Sequence, residues 1–152
     1  MGDQDATEVT ASAIISFAEK LEDLSSKFYI NLTERFVEDR EIFLSFAKES
    51  EKNRILVTRT YQETITDALE ACFSFKGLNL NDYLIDTTLA ENKDYSVTLK
   101  TAIELEEKAI KFYLDVANRS ESLLAMIPRA LRKAAEVRKK RMQKLQSLLV
   151  SK

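Results

Sequence analysis

Residues 21–29 read LEDLSSKFY and residues 105–113 read LEEKAIKFY. Both copies place a Glu directly after a Leu, and both close on Lys-Phe-Tyr. Glu22 and Tyr29, like Glu106 and Tyr113, are two helical turns apart, so each pair shares a helix face. A signature that occurs twice marks two related helices. On a wheel of about 100° per residue, Leu99, Ala102, Ile103, Ala109, Ile110, Tyr113 and Val116 form one apolar stripe, and Glu106 falls near its middle. Glu22 lies beside Ala18, Ser25 and Tyr29, towards one flank of its own stripe. A solvated charge would sit opposite the stripe, so both glutamates are expected to face inward. A lone buried carboxylate is costly, so Glu106 is expected to be neutralised or to find a cation.

Working outward, apolar residues recur at helical spacing in four stretches, residues 10–36, 39–73, 96–117 and 122–149. The first runs through Ile14, Phe17, Leu21, Leu24, Phe28 and Leu32, and the second through Phe43, Phe46, Val57, Tyr61, Ile65, Ala68 and Cys72. Short connections join the first to the second and the third to the fourth, so each pair is an antiparallel hairpin. A longer segment, 76–95, joins the hairpins. Leu80, Tyr83, Leu84, Ile85 and Leu89 give it an apolar side that can lie on the bundle, with room for a short helix. Gly77 is the expected C-cap of the second helix and Ser96 the expected N-cap of the third. Pro128 belongs in the first turn of the fourth, where its missing N–H is tolerated. Hairpin, long crossover, hairpin is the topology of a ferritin-like all-α four-helix bundle.

Composition agrees. With 152 residues, 2 Gly and 1 Pro, the chain suits one domain of long helices spanning 1–152, with residues 1–8 as a flexible N-terminus. A single cysteine, Cys72, cannot form an internal disulfide, which favours a reducing, cytoplasmic setting and a core role for the thiol. No apolar run reaches the roughly 20 residues of a membrane span. The acidic N-terminus has no basic region typical of a secretory signal, and Ala6 breaks the myristoylation pattern. There is no histidine, so Ser-His-Asp and Cys-His catalysis are excluded. No Gly-rich phosphate loop or calcium-loop spacing is present.

The segment 102–113, AIELEEKAIKFY, resembles the first helix of a rubrerythrin-type hairpin in the ferritin-like superfamily. In that family the Glu seven residues before the Tyr ligates iron, which implies ligand positions at Glu22 and Glu106. The next helix of each hairpin supplies a Leu-Ala-x-x-Glu-x-x-His element whose Glu and His complete the site. Here FAKESEKN, 46–53, puts Ser50 and Asn53 at those positions, and AAEVRKKR, 134–141, puts Arg138 and Arg141 there. The wheel supports this register, because Ser50 and Arg138 both project along the apolar stripes of their helices. The resemblance therefore implies a ferritin-like bundle with a degenerate di-iron site. Arg138, with Arg141, would occupy the space of the metals and neutralise Glu22 and Glu106. Tyr29, Tyr113, Ser50 and Asn53 would satisfy the remaining polar atoms.

These observations leave three functional expectations. The first is a non-catalytic bundle with no cofactor that acts as an oligomer, a dimer by analogy with relatives, or as a partner-binding module. The second is a di-iron oxidoreductase, a rubrerythrin-like peroxidase or iron oxidase, with iron held by Glu22 and Glu106 and an oxygen-only ligand set drawn from Glu19, Glu51, Glu104 or Glu107. The third is anion or nucleic-acid binding. Residues 121–152 carry nine Lys and Arg against Glu121 and Glu136, a balance of +7 that leaves −9 on residues 1–120. Arg129, Arg132, Lys133, Lys139, Lys140 and Lys144 would form that surface. No aromatic residue interleaves the run, which argues against stacking on single strands.

Overall fold

The computed structural model describes residues 8–64, 74–90, 93–119 and 126–151. Among these are four long helices, α1 (Ala11–Arg35), α2 (Arg40–Thr64), α3 (Tyr95–Arg119) and α4 (Met126–Ser151). A single 3-10 turn, Val37–Asp39, joins α1 to α2. Residues 1–7, 65–73, 91–92, 120–125 and 152 lie outside the described residues, and with them Ile65, Ala68, Cys72 and Glu121. No described helix is long and apolar enough to cross a membrane.

Local chemistry sets the helix ends. Thr10 caps α1 by accepting the Ala13 N–H at 3.0 Å, which satisfies one of the orphan donors of the first turn. Asp94, not Ser96, caps α3, for its Oδ1 accepts the Val97 N–H at 2.9 Å. Ser96 already lies inside the helix, whose first residue is Tyr95. An aspartate adds a favourable charge at the positive helix end, which a serine lacks. Pro128 occupies the third position of α4, where no backbone donor is missed.

The sequence pattern misses one feature. Glu8–Thr10 (β1) pairs antiparallel with Ser74–Lys76 (β2), in the register Glu8 to Lys76, Val9 to Phe75 and Thr10 to Ser74. Glu8, expected within a flexible terminus, is thus part of a ribbon that leads straight into α1. Gly77 follows β2 at φ +79°. It terminates a strand rather than capping a helix, and it takes the left-handed conformation that glycine adopts without strain.

The apolar core is in two parts. One gathers the N-terminal half of α1 (Ile14, Leu21), Val57 of α2, the C-terminal half of α3 (Ala109 to Ala117) and the start of α4 (Ile127, Leu131). The other gathers Phe28 and Leu32 of α1, Phe43 to Ala47 of α2, Leu99 and Leu105 of α3 and Leu145 of α4. This order fixes the direction of every helix. Helices α1 and α2 are antiparallel, α3 and α4 are antiparallel, and α2 and α3 run the same way. Two consecutive helices that run the same way need a connection as long as the bundle. Residues 78–90 supply it, with Leu78 and Tyr83 buried in the first core and Ala90 in the second. Two single 3-10 turns, Leu80–Tyr83 and Thr87–Ala90, shape this crossover. The Tyr83 hydroxyl pins it to α3 by donating to Asp115 at 2.7 Å.

Candidate functional site: a buried ion layer

Between the two apolar cores every helix places polar residues. They are Glu22 and Ser25 from α1, Ser50 and Asn53 from α2, Glu106 from α3, and Arg138 and Arg141 from α4, all buried. Arg138 lies at the centre with no exposed surface. Its Nη1 donates to Glu106 Oε1 at 2.8 Å and its Nη2 to Glu22 Oε1 at 2.8 Å. Nη2 also donates to the Ser25 hydroxyl at 2.9 Å, and the Ser25 O–H in turn donates to the Leu21 carbonyl at 2.9 Å. One planar guanidinium thus bridges the two repeat glutamates, a geometry that the fork of arginine supports and a lysine ammonium does not.

Arg141, one helical turn further along α4, closes the layer. Its Nη1 donates to Glu106 Oε2 at 3.2 Å and to the Ser50 hydroxyl at 3.1 Å. Its Nε and Nη2 both reach Glu49 Oε1 at 3.3 Å. The guanidinium also faces the Tyr29 and Phe46 rings, with 5.5 and 5.4 Å to their centroids, a contact that favours a poorly hydrated cation.

The tyrosines complete the arrangement crosswise. Tyr29 of α1 donates to Glu106 Oε2 of α3 at 2.5 Å. Tyr113 of α3 donates to Glu22 Oε2 of α1, where the Asn53 amide also donates at 3.4 Å. All four carboxylate oxygens of Glu22 and Glu106 are engaged. Two buried anions meet two buried cations, so the layer is close to neutral. The Arg138 Nε is the one buried side-chain polar atom among the described residues with no partner.

The electrostatics follow. Burial pushes the Glu106 carboxyl up, but Arg138 and Arg141 outweigh it and hold the group below the usual carboxylate range. Burial would lower Arg138, yet Glu106 and Glu22 raise it further, so it stays charged. Burial, and after it the charge of Glu106 or Glu22, pushes the Tyr29 and Tyr113 hydroxyls well above the ordinary phenol value. Both therefore stay protonated and act as donors.

The structure brings together Glu22, Ser50, Asn53, Glu106, Arg138, Arg141, Tyr29 and Tyr113. It does not bring the other glutamates considered for an oxygen-only site into the layer. Glu19 accepts from Thr58 at 3.1 Å, Glu51 pairs with Arg54 at 3.1 Å on the exterior, and Glu104 and Glu107 are exposed. Two participants escaped the sequence reading. Ser25 sits one turn from Glu22 on the same face, a visible signal. Glu49 adjoins Ser50, but nothing in its spacing distinguishes it from neighbouring surface acids.

An iron pair does not fit this donor set. Each carboxylate oxygen already accepts an N–H or O–H, and the space between the carboxylates holds a fixed positive charge that repels a metal cation. Among the described residues, no group of three or more His, Cys, Asp or Glu side chains is placed to hold a metal. Compared with known proteins, the chain matches no family model, no curated protein and no solved structure.

Proposed function

We propose that this chain is a ferritin-like bundle of the rubrerythrin type in which guanidinium groups stand where relatives hold two metal ions. It is non-catalytic and acts through its exterior, as a homo-oligomer or a partner-binding module. The observation that carries the reading is Arg138, whose two terminal nitrogens lie 2.8 Å from Glu106 and from Glu22. The repeated Glu and Tyr positions and the hairpin, crossover, hairpin order support the same descent. An ion layer whose charges balance and whose four glutamate oxygens all accept hydrogen bonds has no open coordination position, which directs function to the surface. Elemental analysis of protein made in iron-rich medium tests this. Negligible iron is expected, and near-stoichiometric iron would contradict it.

A second reading, anion or nucleic-acid binding, is favoured by the division of labour along α4. Arg138 and Arg141 point inward, while Arg129, Arg132, Lys133, Lys140 and Lys144 are exposed. Binding to duplex DNA that weakens steeply with salt would support it.

A further inference from the structure

Away from the ion layer, α1 and the crossover enclose an open cleft of about 460 Å³. Its floor is apolar, made by Leu24 and the buried Phe28. Its rim carries Lys27, Asn31 and Arg35 from the same face of α1, with Thr87 from the facing 3-10 turn. Among the described residues, the lining holds two cations and no carboxylate.

The rim is held in place. Arg35 Nη2 donates to the Lys93 carbonyl at 2.8 Å and to Thr98 Oγ1 at 3.4 Å, and its guanidinium lies over the Phe36 ring at 4.9 Å. Arg35 Nη1 donates to Asn31 Oδ1 at 3.4 Å, so the Asn31 amide oxygen is turned to a cation of the rim. On the opposite wall Thr88 is fixed by its backbone and hydroxyl bonds to Asp86, whose Oδ1 is thereby engaged. The Lys27 ammonium has no ion-pair partner among the described residues and is exposed. Towards the other end, an adjoining shallow cleft balances Glu19 and Asp23 against Lys20 and Lys27, so the unbalanced positive charge lies at the Arg35 end.

We propose that this cleft binds a small soluble organic anion, a carboxylate or phosphate head on a short apolar body. The head sits among Lys27, Asn31, Arg35 and Thr87, and the body lies over Leu24 and Phe28. An apolar floor with a few convergent polar groups is the ordinary make-up of a small-molecule site, and the volume lies within the usual range of about 300–1,000 Å³.

The test is calorimetric titration of the full chain with octanoate, phenyl phosphate and inorganic phosphate. Octanoate or phenyl phosphate is expected to bind with a dissociation constant of about 1 mM or tighter, and inorganic phosphate at least about tenfold more weakly because it has no apolar body. Lys27→Glu should weaken octanoate at least about tenfold, while Lys140→Glu, the same charge change on the exposed face of α4, should leave it unaltered. Thermal unfolding of Lys27→Glu should match the parent. Equal weakening by both variants would assign the binding to diffuse charge and overturn the proposal. So would failure of both organic anions to bind, phosphate binding as tightly as phenyl phosphate, or capture by phosphatidylglycerol vesicles with octanoate unbound.

Discussion

Tyr29 donates its hydroxyl to Glu106 at 2.5 Å, joining α1 to α3 through the centre of the bundle. Tyr113 returns the same contact from α3 to Glu22 on α1. The repeat in the sequence is therefore a reciprocal exchange in space, in which each copy's tyrosine serves the other copy's glutamate. The cations do not share this symmetry, since both come from α4.

Tyr29→Phe and Tyr113→Phe should each destabilise the protein by about 1–3 kcal/mol, the cost of depriving a buried carboxylate oxygen of a donor. Urea denaturation checks this. Glu106 Oε2 keeps Arg141 as a second donor at 3.2 Å, whereas Glu22 Oε2 keeps only the Asn53 amide at 3.4 Å, so the loss should be the larger for Tyr113→Phe. A negligible loss at either site would contradict the reciprocal arrangement.

Stability should fall at both ends of the pH scale. Glu106 has a folded value below its unfolded one, so the native state binds fewer protons there. Its contribution is fully present above the unfolded value of about 4.3 and is lost as pH falls through the lower folded value. Tyr29 and Tyr113 have folded values above the unfolded one. Their contribution is fully present below about pH 10 and is lost as pH rises through the folded values. Tyr83 and Tyr95 are raised too, each first by burial and then by a hydrogen bond to Asp115 or Asp39. Of the five tyrosines, four should thus resist ionisation until the protein unfolds. Phenolate absorbance followed alongside melting temperature gives the readout.

Glu49→Gln should cost less than about 1 kcal/mol, because the Glu49 side chain is 43% exposed and its pairing with Arg141 is screened by water. The loss should shrink further at high salt. Chemical denaturation in urea at low and high salt distinguishes this rim contact from the buried ones.

If the layer descends from a metal site, restoring the family's element should restore binding. A chain carrying Ser50→Glu, Asn53→His, Arg138→Glu and Arg141→His, with Glu22 and Glu106 retained, should bind about two equivalents of ferrous or manganous ion. Anaerobic metal titration of the variant beside the parent measures it. A variant that folds but binds no metal would count against the proposed descent.

Much of this was legible in the sequence because long amphipathic helices repeat their apolar positions many times. The inward glutamates stood out as charges on such stripes, and Arg138 as a cation on one. The ribbon of β1 and β2 was not legible, since three residues per strand are too few to show a period of two. The exchange of Ser96 for Asp94 as the α3 cap is a two-residue shift among several residues that can all cap. Glu49 joins the layer only because Arg141 extends past Ser50 towards the surface, a tertiary fact without a local signal. The cleft beside Lys27 and Arg35 exists only once the crossover lies on α1, and no pattern along the chain announces it.

The central claim is that Arg138 neutralises the two repeat glutamates. A double-mutant cycle in thermal or urea unfolding tests it most directly. Arg138→Ala alone should cost about 3–5 kcal/mol, because it leaves buried carboxylates without their shared cation. Adding Glu106→Gln should recover part of that loss, giving a coupling energy well above the roughly 0.5 kcal/mol scatter of independent sites. Strictly additive losses would contradict the account.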